Sequence, residues 1–400
     1  MKKVLFISYY FPPALSVEST MAANLTQYLP EFGWEPIVLS AHVPGLVGTT
    51  VPTGIDIVRV PSRPGWRWRL LNHFKLVPDD MAGWQPAANR AAQKALQHYP
   101  VSAVVSRSNP ITSHLVARQL KARHPELPWI ALWGDPWTQN PYARYSLAIQ
   151  RNYHLGIERD LMSAADKVAL TTPQTQRLID GLHKAAGKTG VLPNTYNPDD
   201  AEYWQAHTPP PSGPFVLTYT GSLYGLRSPK PLFRAIAQLQ AERPRLSDEL
   251  RVQLVGPLPQ FVGLINRYGV SSVVKLVGQV PRAQALSLAA QSHALLIIDA
   301  PSMGESIFMP AKLADYLISG KPILAITPAG ATADVIAATQ TGITASPTDV
   351  VGIKSALAKY ISQHQAGLLT ISPNVSEIER YSARQAAGQL AQWLNDLSEH

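Results

Sequence analysis

Three stretches of this sequence carry residue types suited to holding an anion, a ribose or a sugar hydroxyl. The first is Gly221-Ser222-Leu223-Tyr224-Gly225-Leu226-Arg227, which follows an apolar run and precedes Ser228-Pro229 and the stripe Leu232, Phe233, Ile236, Leu239. A glycine-bearing loop feeding a helix start beside an arginine suits a pyrophosphate, through backbone N–H groups, the helix dipole and a guanidinium. The same residues also describe a plain strand-to-helix turn with a solvated arginine. The second stretch runs from Ser302 through Glu305 and Ile307 to Lys312 and Asp315, ending at Gly320-Lys321-Pro322. Lys312 and Asp315 lie three apart near a helix start, so both can face one ligand: the lysine suits phosphate and the carboxylate a ribose diol. The alternative is a surface ion pair between them.

The third stretch is Trp133-Gly134-Asp135-Pro136-Trp137, at the end of another apolar run. Asp135 there either hydrogen-bonds a sugar hydroxyl while an indole stacks on the ring, or caps the turn before Pro136. Glu18 lies near the helix start that follows the first apolar run. From Arg59 to Lys75 the chain carries five basic residues and two tryptophans, with no acid until Asp79. Interleaved Trp, Leu and Arg suit the interface of an anionic membrane; they also suit RNA or an ordinary packed surface. The sequence has no Asp-x-Asp, no His-Glu-x-x-His, no P-loop lysine and no Gly-x-Ser-x-Gly. A bound diphosphate would then be neutralised by side-chain cations and helix dipoles, and no metal is expected.

The elements that must position these residues are those of two α/β domains. With 400 residues, the chain exceeds what one core usually supports. Its 46% apolar and 16% charged content is that of an ordinary globular protein. Short β-branched runs alternate with amphipathic stretches, the rhythm of parallel sheets. They fall at 4–8, 36–40, 55–60, 101–106, 129–133 and 168–171, and again at 215–220, 251–255, 273–277, 294–299, 323–326 and 343–345. The expected division is a domain over 1–195, a polar linker over 196–214 centred on Pro209-Pro210-Pro211, a second domain over 215–375, and a C-terminal helix over 376–400 that could pack back on the first domain. Asn109-Pro110 and Ser228-Pro229 each read as a capping residue followed by proline at the first helical position.

The absence of cysteine excludes disulfides and thiolate catalysis and fits a reducing compartment. MKKVLFISYY reads as a first strand rather than a signal peptide, and no run is apolar enough to span a bilayer. The expected location is the cytoplasm, with the inner face of the membrane as an alternative if the basic stretch docks there. The net charge of +8 favours anionic partners, among them nucleotide phosphates.

Five blocks together resemble, in order, those of glycosyltransferase family 4: KKVLFISYYFPP with QYLPEFGWEPIVLS, PWIALWGDPWTQNPY, LPNTYNP, YTGSLYGLRSPKPL and MPAKLADYLISGKPIL. The resemblance implies a GT-B fold, two doubly wound Rossmann-like domains facing across a cleft. It further implies metal-independent transfer of a sugar from a nucleotide donor with retention of configuration, and no cofactor beyond that substrate. The second domain would bind the nucleotide-sugar and the first a saccharide acceptor; if the stretch Arg59 to Lys75 meets a membrane, a lipid-linked saccharide is the expected acceptor and surface polysaccharide or glycan assembly the expected pathway, and nucleic acid is not an expected partner.

By position, Arg227 matches the family's second basic phosphate ligand, and Asp315 stands where the second glutamate of Glu-x7-Glu meets the ribose. Ser222 replaces the first basic ligand and Ile307 the first glutamate, for which Glu305 is the nearby substitute. The loop Ala14-Leu15-Ser16-Val17 lacks the family's glycine pair. Gly221, Ser222, Arg227, Glu305, Lys312 and Asp315 thus form the expected donor site. Arg227 and Lys312 would stabilise the departing diphosphate, and Glu18, Asp135 and Trp137 would face the acceptor, Asp135 as a further catalytic candidate. The alternatives are a nucleotide-sugar epimerase or phosphorylase on the same fold and a non-catalytic partner subunit.

Overall fold

The computed structural model describes residues 1–43, 51–62, 65–143, 145–185, 187–207 and 212–399. Pro209-Pro210-Pro211 of the expected linker, and Arg63 and Pro64 of the basic stretch, lie outside the described residues. The chain divides into two compact units, one of Met1–Thr195 with Tyr381–His400 and the other of Tyr196–Arg380.

The first unit holds strands β1 Lys2–Ser8, β2 Trp34–His42, β3 Asp56–Pro61, β4 Val101–Arg107, β5 Trp129–Trp133, β6 Lys167–Leu170 and β7 Thr189–Val191. All pair in parallel in the order β3-β2-β1-β4-β5-β6-β7. Both faces are covered, so the strands read as continuous apolar runs rather than alternating ones. Leu5 and Ile7 point into one core with Trp84, Val104 and Trp129. Val4 and Phe6 point into the other, which the C-terminal segment completes through Ala386, Ala387, Leu390 and Leu394. That segment is two helices rather than one. Val375–Glu379 belongs to the second unit and Ala383–Ser398 to the first. Ser382 between them has an extended backbone, and its hydroxyl accepts from Arg384 N. An N-cap of this kind starts a new helix rather than continuing the old one.

The second unit holds β8 Phe215–Thr220, β9 Leu250–Val255, β10 Val274–Gly278, β11 Ala294–Ile298, β12 Ile323–Ile326 and β13 Gly342–Ala345. They pair in parallel in the order β10-β9-β8-β11-β12-β13. Each sheet therefore has a point where the winding reverses, between β1 and β4 in the first and between β8 and β11 in the second. In doubly wound sheets the crevice for ligands opens beyond the carboxyl ends of the strands at that point.

The stretch 196–214, expected as a polar linker, contains the short helical segments Pro198–Asp200 and Ala201–Ala206, and Tyr196 and Trp204 are buried. Two aromatic anchors outweigh the polar composition around them. Asn109 does not cap the following helix, which runs over Thr112–Arg123. The cap comes from Asp79, whose carboxylate accepts from Thr112 N at 2.8 Å and from Thr112 Oγ1 at 2.6 Å. An acid 33 residues upstream thus satisfies an N–H that local sequence leaves open. At the other expected start the helix Lys230–Glu242 follows Pro229, and Ser228 Oγ accepts from Lys230 N at 3.3 Å.

Candidate functional site

At the reversal point of the second sheet, the loop after β8 and the residue after β11 bring cations and an acid together. Gly221 takes φ +112° and donates to Val255 O at 2.7 Å, which ties the loop to the end of β9. A Cβ on Gly221 would lie 2.8 Å from Lys312 Nζ, and one on Gly256 would lie 2.2 Å from Gly221 O. The two glycines therefore let the loop fold flat enough for Lys312 to cross it. Lys312 is the second residue of the helix Ala311–Leu317. Its ammonium donates to Thr220 O and sits 3.8 Å from the centroid of the Tyr219 ring. Burial, and after it the neighbouring Arg227, bring the Lys312 pKa down to about 7, against the opposing pull of Asp299.

Arg227 lies 4.8 Å from the centroid of the Tyr224 ring, with its Nη2 3.8 Å from Asp299 Oδ1. Asp299 is 4% exposed, and its other oxygen accepts from Thr327 and Thr332 hydroxyls at 3.0 and 2.8 Å. Among the described residues Oδ1 accepts no hydrogen bond. Burial raises the Asp299 pKa, while Arg227 and the two threonines lower it. Asp299 was legible in the sequence only as the last residue of an apolar run; an acid ending a fully buried strand was the signal for it.

The remaining expected donor residues are placed around this centre. Ser222 is exposed, and its carbonyl accepts from Tyr219 Oη at 2.9 Å. Glu305 is exposed beside Ser306, which is bridged to Gly330. Asp315 is half-buried on the same helix as Lys312, but the two have different charged neighbours. Lys312 faces Arg227 and Asp299, whereas Asp315 faces Arg282 and Asp200. No ion pair joins Lys312 to Asp315 among the described residues. Burial pushes the Asp315 pKa up to about 7, with Arg282 opposing and Asp200 adding to the rise.

The first sheet has a charged group at its own reversal point. Glu18 stands in the first turn of the helix Val17–Tyr28, capped by Ser16, whose hydroxyl accepts from Ser19 N at 3.0 Å. Glu18 Oε2 accepts from Nε of Arg107, the last residue of β4, at 2.9 Å. Arg107 is 6% exposed and was not anticipated from sequence. Gly134, after β5, admits the carboxylate, since a Cβ there would be 3.0 Å from both Glu18 Oε1 and Ser108 O. Burial raises the Glu18 pKa; Arg107 lowers it and the nearby Asp135 raises it further.

The tryptophans flanking Asp135 are not both free to stack on a sugar. Trp133 is buried in the core against His114, with ring centroids 4.6 Å apart. Trp137 is stacked on His154 at 4.8 Å, so one of its faces is covered. Large indoles at strand ends gain more from burial than from standing in solvent. Among the described residues no group of three or more His, Cys, Asp or Glu is placed to hold a metal ion.

Residues 19–195 match the Glycosyl transferase 4-like domain, and residues 214–363 match Glycosyl transferases group 1. The chain belongs to glycosyltransferase family 4. Curated relatives of this family 4 member include D-inositol 3-phosphate glycosyltransferases. That of a Nocardioides species is 27% identical over 44% of this chain and 42% of its own. That of Stackebrandtia nassauensis is 25% identical over 52% and 51%. The chain spans about half the length of the curated relatives it matches.

Solved structures share the GT-B fold along the whole chain. Sucrose-phosphate synthase from Thermosynechococcus elongatus has a TM-score of 0.70 at 18% identity, covering 99% of both chains. The Anabaena protein HepE, solved with UDP and glucose, has a TM-score of 0.65 at 16% identity, covering 99% of this chain and 100% of its own. A UDP-forming trehalose-phosphate synthase from Burkholderia xenovorans, solved with glucose-6-phosphate, has a TM-score of 0.68 at 12% identity, covering 99% and 100%.

The basic stretch from Arg59 to Lys75 of this family 4 member is less uniform than its composition suggests. Arg59 lies in β3 and turns inward: its guanidinium donates to Phe11 O, Pro12 O and Ser40 Oγ. Trp68 packs on Gly83, where a Cβ would be 2.3 Å from the indole nitrogen. Composition cannot tell which way a side chain points, and these two are committed to packing. Among the described residues no helix is long and apolar enough to cross a membrane.

Proposed function

We propose that the chain transfers a sugar from a nucleoside-diphosphate sugar to a saccharide or lipid-linked saccharide acceptor, with retention of anomeric configuration and without a metal ion. The observation that carries this reading is the convergence of Arg227, from the loop after β8, and Lys312, from the helix Ala311–Leu317, at the reversal point between β8 and β11. Two cations beside a φ-positive glycine suit a diphosphate at the place where doubly wound sheets bind ligands. Asp299 orients Arg227 from below, and Asp315 is the carboxylate for the ribose hydroxyls.

In the transfer, the bond from the sugar's anomeric carbon to the diphosphate breaks as the acceptor oxygen bonds to that carbon on the same face. The acceptor's proton passes to the donor phosphate. Arg227 and Lys312 neutralise the charge that develops on the leaving group, the largest electrostatic contribution such a site can make. Glu18, held by Arg107 and joined by Asp135, is the acceptor-side group, a place for sugar hydroxyls to donate.

The test is a thermal-shift screen with UDP, GDP, ADP and their sugars, each with and without EDTA, since a ligand of the folded state raises the melting temperature. One nucleotide series is expected to raise it, EDTA to leave the rise intact, and Arg227→Ala to abolish it. No rise with any of the ligands would overturn the proposal and favour a non-catalytic member of the family.

A further inference from the structure

Exposed large apolar side chains gather on one surface of the first unit. Trp66 is 74% exposed on the helix Trp66–His73, with Leu70 and Phe74 exposed beyond it. Ile149 is 73% exposed near the start of the helix Ala148–Ala164, with Leu147 and Tyr153 exposed around it. The two segments meet at Phe74, whose carbonyl accepts from Gln150 Nε2 at 3.0 Å across 76 residues of sequence. Single exposed apolar residues are normal, whereas a gathered patch marks an interaction surface.

The charge of that surface selects its partner. Arg67, Arg69 and Arg151 are exposed, and residues 66–76 and 147–153 contain no acid. Of the neighbouring acids, Asp79 caps the helix Thr112–Arg123, Asp80 accepts from Asn72 of the helix Trp66–His73 at 2.9 Å, and Glu158 is buried. A second copy of the chain is a poor occupant, since a self-complementary contact would set these arginines against their own equivalents. An anionic bilayer surface meets both halves of the chemistry, with phosphates for the arginines and an interfacial layer for Trp66, Ile149 and Phe74.

We propose that this two-part surface docks the protein on an anionic lipid bilayer. Arg67, Arg69 and Arg151 meet lipid phosphates, and Trp66 and Ile149 enter the boundary between headgroups and acyl chains. Arg59 and Trp68 take no part, being turned inward. The inference rests on none of the groups assigned to the donor, so vesicle binding and nucleotide binding fail or hold separately.

The test is co-sedimentation of the full chain with phosphatidylcholine vesicles, with and without phosphatidylglycerol, at low and high salt. Binding is expected only to the anionic vesicles and is expected to weaken with salt. Each arginine removed should cost about fivefold in partitioning, so Arg67→Ala with Arg69→Ala should cost roughly 25-fold. Trp66→Ala with Ile149→Ala should also release the protein, and unchanged thermal unfolding of both double variants checks that they fold. Failure to bind anionic vesicles, or binding unchanged in both double variants, overturns the proposal. Retention on RNA without vesicle binding would overturn it in favour of nucleic acid, and dimerisation without vesicle binding in favour of a second copy.

Discussion

Replacing Lys312 with methionine removes a cation whose pKa burial and Arg227 together bring down to about 7. A lysine near neutrality in an empty site must be protonated to hold a diphosphate, so the competent fraction of the protein falls as pH rises. With a pKa of about 7, that fraction is roughly nine-tenths at pH 6, one-tenth at pH 8 and one-hundredth at pH 9. The apparent dissociation constant of the preferred nucleotide-sugar should therefore rise about tenfold from pH 6 to 8, and about tenfold again to pH 9. The nucleotide-sugar is the right probe because both of its phosphates are esterified and neither titrates in this window.

Isothermal titration calorimetry in two buffers of different ionisation enthalpy reads both the affinity and the proton taken up. Lys312→Met should bind weakly and should not lose affinity further as pH rises. Lys312→Arg keeps its charge and should likewise show no loss of affinity with rising pH. A flat wild-type curve from pH 6 to 9 would refute the reasoning, as would the same slope in Lys312→Met.

Gly256→Ala should destabilise the second unit by about 1–3 kcal/mol in urea unfolding, because the residue sits at φ +147° with its would-be Cβ 2.2 Å from a backbone oxygen. Asp315 has a folded pKa of about 7, above its unfolded value, so its contribution to stability is full below pH ~4 and is lost as pH rises to about 7. Asp315→Asn should flatten the stability curve across that window and unfold at a higher temperature than wild type at pH 8, while weakening nucleotide binding. Arg107→Ala strands Glu18 without its partner and should cost roughly 3 kcal/mol of stability at pH 7, less in acid; chemical denaturation at two pH values checks it. Gly134→Ala presses on Glu18 Oε1 and Ser108 O and should lower turnover with acceptor more than it lowers donor binding, as steady-state kinetics would resolve.

Much of the sheet architecture was legible because parallel strands buried on both faces announce themselves as apolar runs. The runs at 129–133, 215–220 and 323–326 have the bounds of the strands Trp129–Trp133, Phe215–Thr220 and Ile323–Ile326. Strand Thr189–Val191 escaped notice because three residues carry too little pattern. What sequence could not supply were partnerships over long separations. Asp79 as the cap of a distant helix, Arg107 as the partner of Glu18, and Asp299 behind Arg227 each depend on a fold that brings strand ends together. Arg59 and Trp68 were counted with a basic stretch because composition is blind to direction. Lys312 and Asp315 were paired by spacing, whereas the surrounding helices and loops give each its own set of charges.

The helix Ala383–Ser398 completes the core that Val4 and Phe6 begin, so the first unit is built from two separate stretches of chain with the whole of the second unit between them. On a ribosome adding roughly 5–20 residues per second, one face of the first sheet waits on the order of tens of seconds for the rest of its cover. The contiguous second unit is free to finish folding during that wait, which makes the first-made strands the last to be sealed. Early termination anywhere before Ala383 would release a chain with that core incomplete, covered by the helix Val17–Tyr28 but not by the C-terminal helix, a substrate for chaperones and proteases.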